Sequence, residues 1–266
     1  MIPPSKLEQL AERNLIATLR EHARFSAGGE FREFDDALMA FGGTRFPAAP
    51  FNAVIRKGAV TSPASHLLDR ADQQFGQRGR RFSVYVRARA DDDLARECLA
   101  REYLPSGKLT TMVLERPAAG VKGPSVEWIE DLSGVERFVA LAEESFESVA
   151  VPRAVTRSAL SAKDQLLRPE VRLVVSADQA AALSIAHCGT EGIYWVGTIP
   201  SARGRGLARA CVTTLVESAL ARGARCVVVQ AAPKLVGFYR ALGFFSISQL
   251  DLYTNLKVAA RTKWGS

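Results

Sequence analysis

Trp195-Val-Gly-Thr-Ile-Pro-Ser-Ala-Arg-Gly-Arg-Gly-Leu-Ala208 is the stretch that decides the fold: an apolar strand runs through Arg203-Gly204-Arg205-Gly206 into the start of a helix. Two glycines in four residues let the backbone turn tightly and approach a ligand closely. The helix that follows turns unpaired N–H groups and a positive dipole end toward that turn. The result is an anion cradle with pyrophosphate as the obvious occupant, and Arg203 and Arg205 add donors that suit phosphate. Two common phosphate folds are excluded. A P-loop needs Lys-Ser/Thr after the last glycine, and none follows Gly206. A dinucleotide fold needs a third glycine where Arg209 stands, and an acidic residue near the end of the next strand to hold a ribose.

Downstream, a helix from Leu207 to Arg222 closes on Gly223. A buried strand, Cys226-Val-Val-Val-Gln230, follows, and then Pro233-Lys-Leu-Val-Gly-Phe-Tyr-Arg-Ala-Leu-Gly-Phe244. The spaced pair Arg203-x-x-Gly206-x-Ala208 and Phe238-Tyr239-Arg-Ala-Leu-Gly-Phe244 resembles the GNAT superfamily of N-acetyltransferases. The resemblance implies an α/β (α+β) fold, a mixed and mostly antiparallel sheet with splayed central strands flanked by helices. It implies acetyl-CoA as cosubstrate, with its pyrophosphate on Arg203, Gly204, Arg205, Gly206, Leu207 and Ala208. Its pantetheine arm would lie along the backbone of Val196, Gly197 and Thr198, and its sulfur beside Tyr239. The implied reaction is direct acetyl transfer to a primary amine, with no metal and no covalent enzyme intermediate.

Such a transfer needs a polarised thioester carbonyl, a neutral amine and a proton for the departing thiolate. Tyr239 is the candidate acid, because a phenol is protonated at neutral pH. Several relatives carry a glutamate base eleven residues before the loop arginine, where this chain has Gly192 with Glu191 beside it. Glu191 is the candidate base, although a one-residue shift on a strand turns a side chain to the other face unless a bulge intervenes. His187, a water relay, or an amine bound in its neutral form are the alternatives. Ala232 stands where the family commonly has asparagine, seven residues before the tyrosine. Those two departures keep a second function open, a CoA-sensing or partner-binding module that retains the loop without turnover.

A chain of 266 residues, 47% hydrophobic and 24% charged, is globular and longer than one such domain needs. Residues 119–124 lie in a Pro/Gly/Ala-rich stretch that reads as a linker between an amino-terminal α/β domain, 1–118, and an acetyltransferase domain, 125–266. The amino-terminal domain lacks both motifs, so it is either a degenerate GNAT-like half or an unrelated α/β cap that shapes the acceptor pocket. The net charge of +7 is spread over both halves, which argues against a nucleic-acid face. No membrane-length apolar run and no secretion signal is present, so the expected location is cytoplasmic and the partner an amine acceptor, small molecule or protein. The four cysteines, Cys98, Cys188, Cys211 and Cys226, are scattered, and Cys211 and Cys226 read as core residues.

Periodicity gives a helix over about 5–27, strands over 34–41 and 51–56, a helix over 63–77 and a strand over 81–87. A helix opened by Asp91, Asp92 and Asp93 as cap and dipole partners comes next, then a strand over 109–114. In the second domain a strand over 125–132 precedes a helix capped by Ser133, and a weakly periodic helical stretch ends near Leu167. Strands over 171–176, 180–188 and 192–198 lead into the loop. Only one strand, 245–254, follows the tyrosine helix, where a complete sheet of this family ends on two. The missing strand comes from residues 256–259, from the amino-terminal domain, or from a partner chain in a homodimer.

Overall fold

The computed structural model describes residues 2–46, 51–116 and 123–256. Residues 119–122 of the expected linker, residues 257–259 of the candidate last strand and the carboxyl-terminal Trp264-Gly-Ser lie outside them.

In chain order the elements are α1 (Pro4–Arg24), β1 (Glu30–Glu33), β2 (Ala37–Phe41), β3 (Asn52–Arg56), α2 (Ala64–Gly76), β4 (Ser83–Arg87), α3 (Asp92–Ala100) and β5 (Leu104–Leu114). The second half follows with β6 (Glu127–Ile129), α4 (Leu132–Glu147), α5 (Arg153–Ala159), β7 (Val171–Ser176), β8 (Ala180–His187) and β9 (Thr190–Thr198). It closes with α6 (Leu207–Ala221), β10 (Cys226–Ala231), α7 (Val236–Arg240) and β11 (Phe245–Thr254). The short strand β1 has no apolar alternation and escaped the sequence reading. Ser133 is not the cap of α4; Asp131 is, its carboxylate accepting from Gly134 N–H at 2.7 Å. Asp91 sits at the start of α3 but its side chain makes no cap bond. It is drawn instead to two arginines, accepting from Arg87 at 2.8 Å and from Arg56 at 3.2 Å.

The eleven strands among the described residues form one sheet in the order β1-β2-β3-β4-β11-β5-β10-β9-β8-β7-β6. Each half repeats one plan. An antiparallel run ends in a parallel pair joined by a helix, β3-α2-β4 and β9-α6-β10, and then a short helix leads to a long strand, β5 and β11. The long strands are exchanged between the halves. β5 pairs with β10 of the second half, and β11 pairs with β4 of the first. The amino-terminal half therefore supplies the strand that the second half lacks.

Helices α1 and α4 cover one face, and α2, α3, α6 and α7 the other. The apolar stripe of α1, Leu7, Leu10, Leu15 and Leu19, spans both halves, packing on Leu38, Ile55 and Tyr85 and on Val113 and Val228. The helix comes so close to β9 that a Cβ on Gly192 would lie 2.1 Å from Asn14 Oδ1. Under α6 lies one core of the second half, with Val227, Val229, Leu215, Tyr239 and Phe244. Cys211 and Cys226 are buried there and on the α1 face, and burial pushes their thiols up to about 12 and about 11.

Candidate functional site

The parallel pair β9–β10 holds register only from Cys226 opposite Thr190 to Val228 opposite Gly192. Beyond that point β9 runs on to Thr198 and β10 to Ala231 with no pairing between them. A bulge drives them apart. Against β8 the register passes from Leu183↔Tyr194 to Ala181↔Gly197, so Trp195 and Val196 together oppose Ala182. Trp195 has φ +52°, a conformation that costs an L-residue about 1–2 kcal/mol. Its surroundings hold it there. The indole N–H donates to His22 Nε2 at 2.9 Å, and the ring packs on Phe146 at 5.2 Å and Phe51 at 6.0 Å between centroids. A bulged strand twists and bends away from its partner, and here β9 has no β10 partner beyond Gly192.

His22 is buried, and burial lowers its pKa to about 3. It stays neutral as the acceptor of the Trp195 indole.

At the open end of the gap, Gly204 and Gly206 have φ +80° and +79°, and a Cβ at either would meet nothing within 4 Å. Glycine is needed here for its backbone freedom and not for room. The first helical N–H with a partner is that of Ala210, bonded to Gly206 C=O at 3.0 Å. Among the described residues the amides of 204–209 have no hydrogen-bond partner, so the loop presents a run of donors at the positive end of a 15-residue helix. The Arg203 guanidinium is anchored across the mouth, donating to Thr198 C=O at 3.3 Å and to Ser148 Oγ.

These parts surround one cleft of about 670 Å³. Its lining brings together Val196, Gly197, Thr198, Arg203, Gly204, Gly206, Leu207, Ala208 and Tyr239, nine of the eleven site residues expected from the sequence. Arg205 is exposed and is not part of the lining. Tyr239 is 6% exposed, and burial alone raises its pKa well above the ordinary phenol value, so the hydroxyl keeps its proton.

Glu191 is not in the cleft. Its carboxylate is 3% exposed and accepts two bonds from Arg222 at the end of α6, at 2.8 and 2.6 Å, and one from Ser184. Gly192 cannot carry a base in its place, because Asn14 occupies the room for a side chain. His187 lies at the far end of β8, beside Thr190 and not Thr198, and burial with the nearby Arg20 and Arg13 lowers its pKa.

Three lining residues carry no sequence signal. Ser145 and Phe146 come from α4, and Val149 follows it. Ser145 Oγ is buried with no hydrogen-bond partner, and Gly197 lets the strand pass it, since a Cβ there would lie 2.7 Å from Ser145 Cβ. Lys234 and Leu235, from the turn before α7, complete the other wall.

In the amino-terminal half, charged side chains fill the place that corresponds to the splayed strands. Between the ends of β3 and β4, Arg56 is fully buried and bonds Asp91 and Asp93, while Arg87 bonds Asp91 and Glu12. The loop after β3 is occupied as well, with Gly58 N–H donating to Glu12 at 2.8 Å. Among the described residues no group of three or more His, Cys, Asp or Glu could hold a metal ion, and no helix is long and apolar enough to cross a membrane.

Residues 166–244 match the family model described as Acetyltransferase (GNAT) family. A 71-residue stretch is 41% identical to Glucosamine 6-phosphate N-acetyltransferase 1 of Oryza sativa subsp. japonica, covering 26% of this chain and 43% of that enzyme. The chain thus matches less than half the length of that relative. The whole chain resembles a GCN5-related N-acetyltransferase from Kribbella flavida, with TM-score 0.67 and 16% identity over 92% of this chain and 95% of that one. It also resembles a tandem GNAT protein from the clavulanic acid biosynthesis pathway, with TM-score 0.54 and 15% identity over 82% and 77% of the two chains. These solved structures are alike in fold. The splayed strands, the free amides and the buried tyrosine of one cleft all lie within or beside residues 166–244, the segment that matches the GNAT acetyltransferase family.

Proposed function

We propose that the protein is an acetyl-CoA-dependent N-acetyltransferase that passes the acetyl group directly to a primary amine. The observation that carries the reading is the run of unbonded amides at residues 204–209 opening on the same cleft as Tyr239. The residues present fit the cosubstrate. Free N–H donors at a helix start suit a diphosphate, the unpaired edge of residues 196–198 suits the amide groups of a pantetheine arm, and Phe146, Val149, Leu235 and Phe238 give the walls apolar surface.

Acetyl-CoA, when bound, supplies the acyl group as a thioester. The chain does the rest. Backbone donors of the loop fix the diphosphate, and the edge of β9 orients the reacting end. Tyr239, in this reading, gives its proton to the sulfur as the C–S bond breaks and the new C–N bond forms; its position in the lining of the same cleft supports that role. The buried Ser145 hydroxyl has a free hydrogen-bonding capacity beside Gly197, where the polar groups of the arm would pass.

Glu191 serves, in this reading, as the anchor of Arg222 and not as the base; the amine gives up its proton to solvent water at the open side of the cleft. The rice relative acts on an amino sugar phosphate by its name, which makes a small primary amine the leading class of acceptor here. Calorimetry with acetyl-CoA and CoA, followed by thiol release over a panel of amines, tests the proposal. Micromolar binding and amine-stimulated release are expected. Binding with slow hydrolysis that no amine accelerates supports the sensor reading instead.

A further inference from the structure

A second, polar groove lies on the α1 face of the sheet. There Gln230, Thr111 and Ser248 stand side by side in register on β10, β5 and β11. The neighbouring row, Val228 and Val113, is apolar and packs on Leu7, Leu10 and Ala11 of α1. The polar row therefore interrupts an apolar face. Both the amide nitrogen and the amide oxygen of Gln230 are buried and have no hydrogen-bond partner among the described residues, so a polar ligand there would meet an unsatisfied donor and acceptor.

A cleft of about 390 Å³ opens over this row, bounded by Glu8 of α1 and Arg89 after β4. It shares Glu8, Arg89, Ser248 and Gln249 with an adjoining cleft of about 520 Å³ that reaches Arg240 on α7. Arg87, at the same groove, is neutralised by Glu12 and Asp91. Glu8, Arg89 and Arg240 form no ion pair among the described residues, and Arg89 is presented from a backbone at φ +70°. Helix α7 contributes to both openings, with Phe238 and Tyr239 lining the 670 Å³ cleft and Val236 and Arg240 lining the adjoining part of the groove.

Resting on the acetyltransferase reading, we propose that this groove is the acceptor site and that its acceptor is a small primary amine carrying an anionic group. Arg89 and Arg240 hold the anion, Glu8 the ammonium, and the Gln230–Thr111–Ser248 row the remaining polar atoms. Both halves of the chain build it, and this gives the amino-terminal half a direct part in choosing the substrate.

Three probe amines test it: O-phosphoethanolamine, β-alanine and ethanolamine, in a thiol-release assay at saturating acetyl-CoA. At least a tenfold higher kcat/KM is expected for one or both anionic amines over ethanolamine, and the two anionic arms separate phosphate from carboxylate. The double variant Arg89→Ala/Arg240→Ala removes two exposed, unpaired side chains. It should raise KM for the preferred amine tenfold or more while the calorimetric Kd for acetyl-CoA stays within twofold. Equal use of ethanolamine, or an unchanged KM in the variant, overturns the assignment. Should wild-type protein fail to bind acetyl-CoA, the acetyltransferase reading falls. Calorimetry of O-phosphoethanolamine and β-alanine alone then decides the groove: saturable binding lost in the double variant supports an amine site, and no binding, or equal binding in both proteins, overturns it.

Discussion

Replacing Glu191 by glutamine separates a structural carboxylate from a catalytic one. The carboxylate is 3% exposed and takes both oxygens to Arg222, whose side chain is 34% exposed, with Ser184 as a third donor. In Glu191→Gln one oxygen becomes an NH2 group that cannot accept, so one charge-assisted bond is lost, about 1.5–3 kcal/mol. Breaking a fully buried pair costs about 3–5 kcal/mol, but Arg222 can turn to water, which keeps the expected loss near 2–3 kcal/mol. For a chain of this size each kcal/mol moves Tm by about 2–4 °C, so a fall of roughly 5–10 °C is expected in thermal unfolding. At 25 °C, below the transition, kcat and both KM values should stay within about threefold of wild type, against the roughly 10²–10⁴-fold that loss of a general base removes. A hundredfold drop in kcat with Tm unchanged refutes the reasoning and returns Glu191 to the role of base.

Tyr239→Phe should lower kcat by about 10²-fold or more with little change in Tm, since general acid catalysis contributes on that scale. Because burial raises the phenol pKa, wild-type activity should show no loss from Tyr239 ionisation at pH 10, the ordinary phenol value. Gly206→Val forces a β-branched residue toward φ +79°, so the loop abandons its shape and calorimetric affinity for CoA should fall at least about tenfold. Arg203→Ala removes a guanidinium that solvent screens, and the expected loss of CoA affinity is only about two- to fivefold. His22 has a pKa lowered to about 3 from 6.5, so the unfolded chain binds the extra proton first. The stability it contributes is complete above pH 6.5 and is lost as pH falls from there toward 3, by up to about 1.4 kcal/mol per pH unit. His22→Gln, which keeps an acceptor for the Trp195 indole, should flatten that part of the pH profile in urea denaturation.

The loop side of the candidate site was legible because it is local. The amides of residues 204–209 are free for reasons written in ten consecutive residues, two glycines and a helix start, and Tyr239 follows at a spacing set by one helix and one strand. The acid–base assignment was not legible. Neither the partner that neutralises Glu191 nor the helix that fills the space at Gly192 is near in sequence: Arg222 is 31 residues away and Asn14 comes from the opposite end of the chain. Likewise Asp91 to Asp93 read as a helix cap, yet Asp91 answers to Arg56, which only the fold of the first half brings beside it. The bulge at Trp195 has no local mark, since a tryptophan with positive φ is stabilised by His22, Phe51 and Phe146 from three distant segments.

By itself the sequence determined the elements that short-range forces dictate: the α6 start, the strand on either side of it, the amphipathic stripe of α1 and the alternation of strands and helices in both halves. Tertiary structure alone decided how the two halves share one sheet. A strand's alternating pattern records which face is buried but not which edge it joins, because backbone hydrogen bonding is the same for every sequence. So β5 could complete the second half and β11 the first, and the polar row of Gln230, Thr111 and Ser248 came together from three strands that lie far apart along the chain.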